Sequence, residues 1–126
     1  MTIHGIGIDV VEVARITAIL EKHGEALFAR VCTREERDYC MAHPDPAIQL
    51  AARFAAKEAV AKAFGTGIGK HAGLAEIEVR HTPAGAPEIV LHGAAAAFAA
   101  EQGISRVLVS LTHTAQYAAA NAVAIA

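Results

Sequence analysis

Thr2-Ile3-His4-Gly5-Ile6-Gly7-Ile8-Asp9-Val10 opens the chain and sets its architecture. The residues alternate, so Ile6, Ile8 and Val10 share one face of a strand while Gly5, Gly7 and Asp9 share the other. The second face is a lane cleared of side chains that ends in a carboxylate. A helix should follow, with Val13, Ile16, Ile19 and Leu20 as its apolar stripe and Gly24 near its C-terminus.

Thr33-Arg34-Glu35-Glu36 has the capping-box pattern and starts a second helix, which His43-Pro44-Asp45-Pro46 ends. The longest helical signal runs from Ile48 to Phe64 and stops at Gly65. Glu76 to His81 and Glu88 to His92 read as two strands joined by a turn at Thr82-Pro83-Ala84-Gly85-Ala86-Pro87. Ala94 to Gln102 reads as a short helix closed by Gly103. Arg106 to His113 and Tyr117 to Ile125 read as a final hairpin. With 126 residues and no repeat or linker, residues 1–126 form one α+β domain.

The composition is 54% hydrophobic but only 5% aromatic, which implies a core of Ala, Val, Ile and Leu. A net charge of −2 gives no general attraction to nucleic acid or anionic lipid. Val107 to Ala126 holds twenty residues without Asp, Glu, Lys or Arg, enough to cross a bilayer, yet polar residues interrupt it and its alternation indicates strands. Asp9, Glu12 and Arg15 inside the first apolar run argue against a signal peptide and for the cytosol. Cys32 and Cys40, the only cysteines, are expected to be free thiols, too far apart along a helix for a disulfide. Cys40 with His43 is only half a zinc site.

Arg53-Phe54-Ala55-Ala56-Lys57-Glu58-Ala59-Val60-Ala61-Lys62 carries the chemistry. At about 100° per residue, Ala55, Ala56, Ala59 and Ala63 fall on one side, with Arg53, Lys57, Glu58 and Lys62 spread over the other. Such a charged half can face an anionic site, or it can be a solvated face with an ordinary Glu58–Lys62 pair. Asp9 likewise reads either as a helix N-cap or as a metal ligand, the bare glycines beside it leaving room for a bulky polyanion. Asp9 with Glu58 would suffice for Mg²⁺, which takes one or two protein carboxylates and completes its shell with water and phosphate. Gly65-Thr66-Gly67-Ile68-Gly69-Lys70 is not a Walker loop, because it follows a helix and has His71 where Ser or Thr belongs. It reads as a helix stop whose backbone donors could touch phosphate. Ser110-Leu111-Thr112-His113-Thr114 places two hydroxyls and an imidazole near a strand end.

Taken in order, Gly5-Ile6-Gly7-Ile8-Asp9-Val10-Val11-Glu12, Arg53-Phe54-Ala55-Ala56-Lys57-Glu58-Ala59 and Ser110-Leu111-Thr112-His113-Thr114 resemble the holo-acyl-carrier-protein synthase family over nearly the whole chain. The resemblance implies a three-stranded antiparallel sheet with surrounding helices and a small hairpin, assembled as a homotrimer with sites between subunits. It implies transfer of the 4′-phosphopantetheine group of coenzyme A to a serine of an acyl carrier protein, in support of fatty acid biosynthesis. Mg²⁺ would be held by Asp9 and Glu58, with Lys62 beside the pyrophosphate. Arg53 would meet the 3′-phosphate, the turn Gly65, Thr66, Gly67 would contribute, and His113 is a candidate base. Arg15 and Lys22 would receive the acidic carrier, although Ala14 to Cys40 balances five basic against five acidic residues. A non-catalytic trimeric scaffold and another magnesium-dependent nucleotide enzyme are the rival readings.

Overall fold

The computed structural model describes residues 1–126. In chain order the elements are β1 (Ile3–Glu12), α1 (Val13–His23), α2 (Glu25–Val31), α3 (Arg34–Met41) and α4 (Pro46–Phe64). A short 3₁₀ turn, Leu74–Glu76, leads to β2 (Ile77–His81) and β3 (Pro87–Leu91), then α5 (Gly93–Gln102), β4 (Arg106–His113) and β5 (Tyr117–Ile125). β1, β5 and β4 form an antiparallel sheet in that spatial order, and β2 with β3 forms a separate hairpin. The expected α+β class and both sheets are therefore present. Val107 to Ala126 is β4 and β5, and no helix is long and apolar enough to cross a membrane.

The helix α4 lies across β1 and β5, and Ala51, Ala55, Ala56, Ala59 and Ala61 are wholly buried. The glycine lane of β1 explains how close it comes. A Cβ on Gly7 would stand 1.9 Å from the Ala59 carbonyl oxygen, and one on Gly5 would stand 2.2 Å from that of Ala63. The lane is thus filled by helix backbone and does not hold a polyanion, which corrects that expectation. The isoleucine face turns the other way: Ile6 and Ile8 are 72% exposed and Val10 65%. Because the obstructing atoms are backbone, Gly7→Ala should destabilise the protein by about 3 kcal/mol, the upper end for overpacking, as a drop in the urea midpoint.

Besides one-residue shifts at the ends of β2, β3 and α5, three features differ from the sequence expectation. α2 was not expected, because Gly24 reads as a stop; the chain turns there at φ 54° and immediately starts a second helix. α4 begins at Pro46, not Ile48, since proline lacks the N–H that the first helical turn would leave unbonded anyway. β1 runs on to Glu12, so the N-cap of α1 is Glu12 and not Asp9. The capping box at Thr33 forms as expected, with Glu36 N–H donating to Thr33 Oγ1 and Thr33 N–H to Glu36 Oε1. Cys32 and Cys40 are free and buried, but Cys32 follows α2 while Cys40 lies in α3, so no single helix separates them as expected.

Candidate active site

Along α4 the charged residues separate into two rows about 100° apart, each an i,i+4 pair. One row, Glu58 and Lys62, leans toward β1. The other, Arg53 and Lys57, points into the space between α3 and β2. All four still fall within one half of the helix, but Arg53 and Lys57 are buried, which corrects the expectation that this half is a single surface face.

In the first row the Lys62 ammonium donates to Asp9 Oδ1 at 3.1 Å and to the Ile8 carbonyl at 2.9 Å. Lys62 therefore bonds across to the strand, and the simple Glu58–Lys62 pair is not formed. Asp9 sits mid-strand opposite Ala120, which removes its reading as a cap. Burial pushes the Glu58 carboxyl above the usual glutamate range, and the negative charge of Asp9 pushes it further, against smaller pulls from Lys62 and Arg15. Two carboxylates on facing elements thus share one field, half-neutralised by one ammonium. Such a donor set fits Mg²⁺, which needs only one or two protein carboxylates and whose charge would relieve the repulsion between them.

A raised carboxyl pKa in the folded state contributes stability that is fully present below the ordinary glutamate value, about 4.3, and is lost as pH rises through the folded value. Since Asp9 is the second cause of the shift, Asp9→Asn should lower the Glu58 pKa without restoring it fully, burial being the first cause. Carbon-detected NMR titration of the Glu58 carboxyl in metal-free protein reads this directly; an unchanged midpoint would show that the two groups do not interact.

In the second row, Lys57 Nζ donates to Glu36 Oε1 at 2.7 Å and to the carbonyls of Leu74 at 2.9 Å and Ile77 at 2.7 Å. All three ammonium protons are used, so Lys57 ties α3 and α4 to the start of β2. Arg53 is only 2% exposed, with its guanidinium carbon 4.1 Å from the centre of the Tyr39 ring. Its Nε is buried without a hydrogen-bond partner, 3.6 Å from Glu36 Oε2. The Tyr39 ring also stacks with His81 at 4.7 Å between ring centroids, and His81 Nδ1 is likewise unpartnered. Burial, then the charge of Arg53, then that of His43 hold the His81 imidazole below its usual range. A cleft of about 390 Å³ opens here, lined by Glu35, Tyr39, Arg53, Glu78, Arg80 and His81.

The remaining expected residues are more scattered. The amides of Gly65, Thr66 and Gly67 all donate to the last carbonyls of α4, Lys62 and Ala61, so the turn does not present free backbone donors. Its positive φ values, 86° at Gly65 and 68° at Gly67, are those of a left-handed helix stop. The Thr66 hydroxyl donates to the Gly67 carbonyl at 2.8 Å, so any contact with a ligand is left to the turn's shape. His113 closes β4 two strands from β1, about 10 Å away at ordinary strand spacing, and no hydrogen bond joins it to the carboxylates within one chain. Arg15 and Lys22 are exposed, seven residues apart and so on one face of α1. Beside them a groove of about 420 Å³ runs between α1 and α2, lined by Ile19, His23, Leu27, Arg30 and Phe54. Sequence reading missed Glu36, Tyr39 and His81. The one available signal was the capping-box glutamate, whose carboxylate is shared between the cap and the Lys57 ion pair.

Residues 5–122 match the 4′-phosphopantetheinyl transferase superfamily, and the chain belongs to it. Within that class the similarity is to holo-[acyl-carrier-protein] synthases. The protein of that name from Chlorobaculum parvum is 45% identical over 117 residues, covering 93% of this chain and 94% of the relative. That from Chlamydia pneumoniae is 43% identical over 126 residues, 100% of both chains. The crystal structure of the Neisseria meningitidis synthase superposes with a TM-score of 0.93 at 39% identity, covering 99% of this chain and 100% of that one. The Helicobacter pylori synthase in complex with coenzyme A gives a TM-score of 0.84 at 31% identity, over 94% of this chain and 98% of that one.

Proposed function

We propose that this protein transfers the 4′-phosphopantetheine group of coenzyme A to a serine hydroxyl of an acyl carrier protein. The observation that carries the reading is the convergence of Asp9, Glu58 and Lys62 from β1 and α4, in a chain whose relatives are holo-[acyl-carrier-protein] synthases. Mg²⁺ held by Asp9 and Glu58 would neutralise pyrophosphate charge and stabilise the leaving group.

The chain's own residues then have distinct tasks. Lys62, anchored to Asp9 and half exposed, offers a positive charge to the pyrophosphate. Arg53, whose guanidinium lies over the Tyr39 ring and lines the cleft there, would meet the 3′-phosphate. In the reaction the serine oxygen bonds to the β-phosphorus as the bond to the departing 3′,5′-ADP oxygen breaks, and the serine proton passes to a base. A water beside Glu58, or His113, would accept that proton. Most of the rate comes from positioning and charge neutralisation.

The outward row Ile3, Ile6, Ile8, Val10 and Leu108 is exposed on one face of the sheet and is best accounted for as the contact of a homotrimer. Such packing would also bring a neighbour's β4 end, with its His113, to each site. Arg15 and Lys22, continued by Arg30 over the apolar groove, suit an acidic carrier helix. Buried free thiols suit a reducing cytosol, and the holo-carrier product would serve fatty acid synthesis. The test is to incubate the protein with coenzyme A, magnesium and several apo carrier proteins and weigh the carriers. A gain of one phosphopantetheine per serine is expected; unchanged mass for every carrier would overturn the assignment, and magnesium-dependent binding of ATP in place of coenzyme A would favour a different nucleotide enzyme.

A further inference from the structure

We propose that Glu36 is a positioning residue for the substrate-binding guanidinium of Arg53, and so sets the preference of the enzyme for a 3′-phosphorylated substrate. The inference rests on the reading of Arg53 given above and adds a residue that does not itself touch the substrate.

A guanidinium carries five N–H donors, and a charged group almost fully removed from water ordinarily has partners for them. The Arg53 Nε is buried without one, although a carboxylate stands 3.6 Å from it. The reason lies in how Glu36 is held. Oε1 accepts from Lys57 Nζ at 2.7 Å and from the Thr33 amide at 3.1 Å, while Oε2 accepts from the Val79 amide at 3.0 Å. With both oxygens committed to α3, α4 and β2, the carboxylate cannot turn to form a forked pair with Arg53. It acts on Arg53 as a fixed charge, drawing the Nε edge inward.

Tyr39 fixes the remaining freedom. Its ring centre lies 4.1 Å from the guanidinium carbon, and the ring is itself stacked with the His81 imidazole. The held-down pKa of His81 keeps a second positive charge from pushing Arg53 away. Arg53 is thus held by one immobilised charge and one aromatic face, and its terminal nitrogens remain available to an anion. A Glu36 free to form a bidentate pair would have consumed them.

The test compares kcat/KM for coenzyme A and for 3′-dephospho-coenzyme A, whose ratio reports recognition of the 3′-phosphate and is insensitive to the fraction of protein folded. The wild type should prefer coenzyme A, and Arg53→Met should collapse the preference by about tenfold or more, the worth of a charge-assisted hydrogen bond. Glu36→Gln should collapse it similarly, mainly through KM for coenzyme A, and adding it to Arg53→Met should change the ratio no further. A Glu36→Gln enzyme that keeps the wild-type ratio, losing activity equally with both substrates, would reduce Glu36 to a structural role and overturn the proposal. Equal use of the two substrates by the wild type would overturn it at Arg53. Failure of the wild type to transfer from either substrate would instead bring down the phosphopantetheinyl-transfer reading itself.

Discussion

Asp9→Asn and Glu58→Gln should each reduce carrier modification by about a thousandfold, because charge stabilisation of several kcal/mol is at stake and each 1.36 kcal/mol is a factor of ten. Both changes are isosteric and leave the fold intact. Asp9 makes one side-chain bond, to the half-exposed Lys62, and Glu58 none. The more telling expectation concerns stability. The Glu58 carboxyl is pushed above its ordinary range by burial and by Asp9, so at neutral pH its charge costs folding free energy, and Glu58→Gln removes that cost. A variant more stable than wild type in metal-free urea unfolding, and nearly inactive in transfer, is the expected outcome. Such opposed effects mark a residue kept for chemistry. Retained transfer in both variants would remove the carboxylate pair from the mechanism.

The second large effect lies in the buried polar cluster. Lys57→Met should lower stability by about 3–5 kcal/mol, the usual consequence of leaving one member of a buried ion pair alone. Glu36 and Lys57 side chains are both wholly buried, and beside the Thr33 and Val79 amides the carboxylate would keep only the more distant Arg53 Nε as a positive partner. Glu36→Gln placed on top of Lys57→Met should recover part of the loss, since the stranded charge is then gone, while the Leu74 and Ile77 carbonyls stay unpaired. Chemical unfolding of the three variants measures the coupling; a double variant no better than the single would mean that the cost lies in those carbonyls and not in the charge.

Local chemistry made much of the fold legible. The Thr33 capping box, the glycines at 65 and 103 and the alternation of β4 and β5 each reflect a short-range rule, and each element stands where that rule places it. What escaped depended on partners distant in sequence. The two faces of β1 differ in composition, but only the arrival of α4 some forty residues later decides that glycine goes inward and isoleucine outward. Lys57 and Arg53 look like surface charges until Glu36, on another helix, is seen beneath them. Asp9 and Glu58 were recognisable as candidates through their neighbours in the motifs. Their mutual field and the engagement of Lys62 with Asp9 emerge only when strand and helix are in contact.

That contact has a consequence for how the protein tolerates change. The carbonyls that meet the glycine lane belong to Ala59 and Ala63, each one residue past Glu58 and Lys62, and the strand they press upon carries Asp9. A side chain at position 5 or 7 must lift the helix, and the lift moves the carboxylate and ammonium away from their strand partner. Cooling, osmolytes or stabilising substitutions elsewhere can restore folding to such a variant, yet none of them returns the helix to its seat. In a suppressor screen selecting for activity, Gly7→Ala should therefore yield reversion at the same codon, whereas variants of Lys57 should be rescued from many sites.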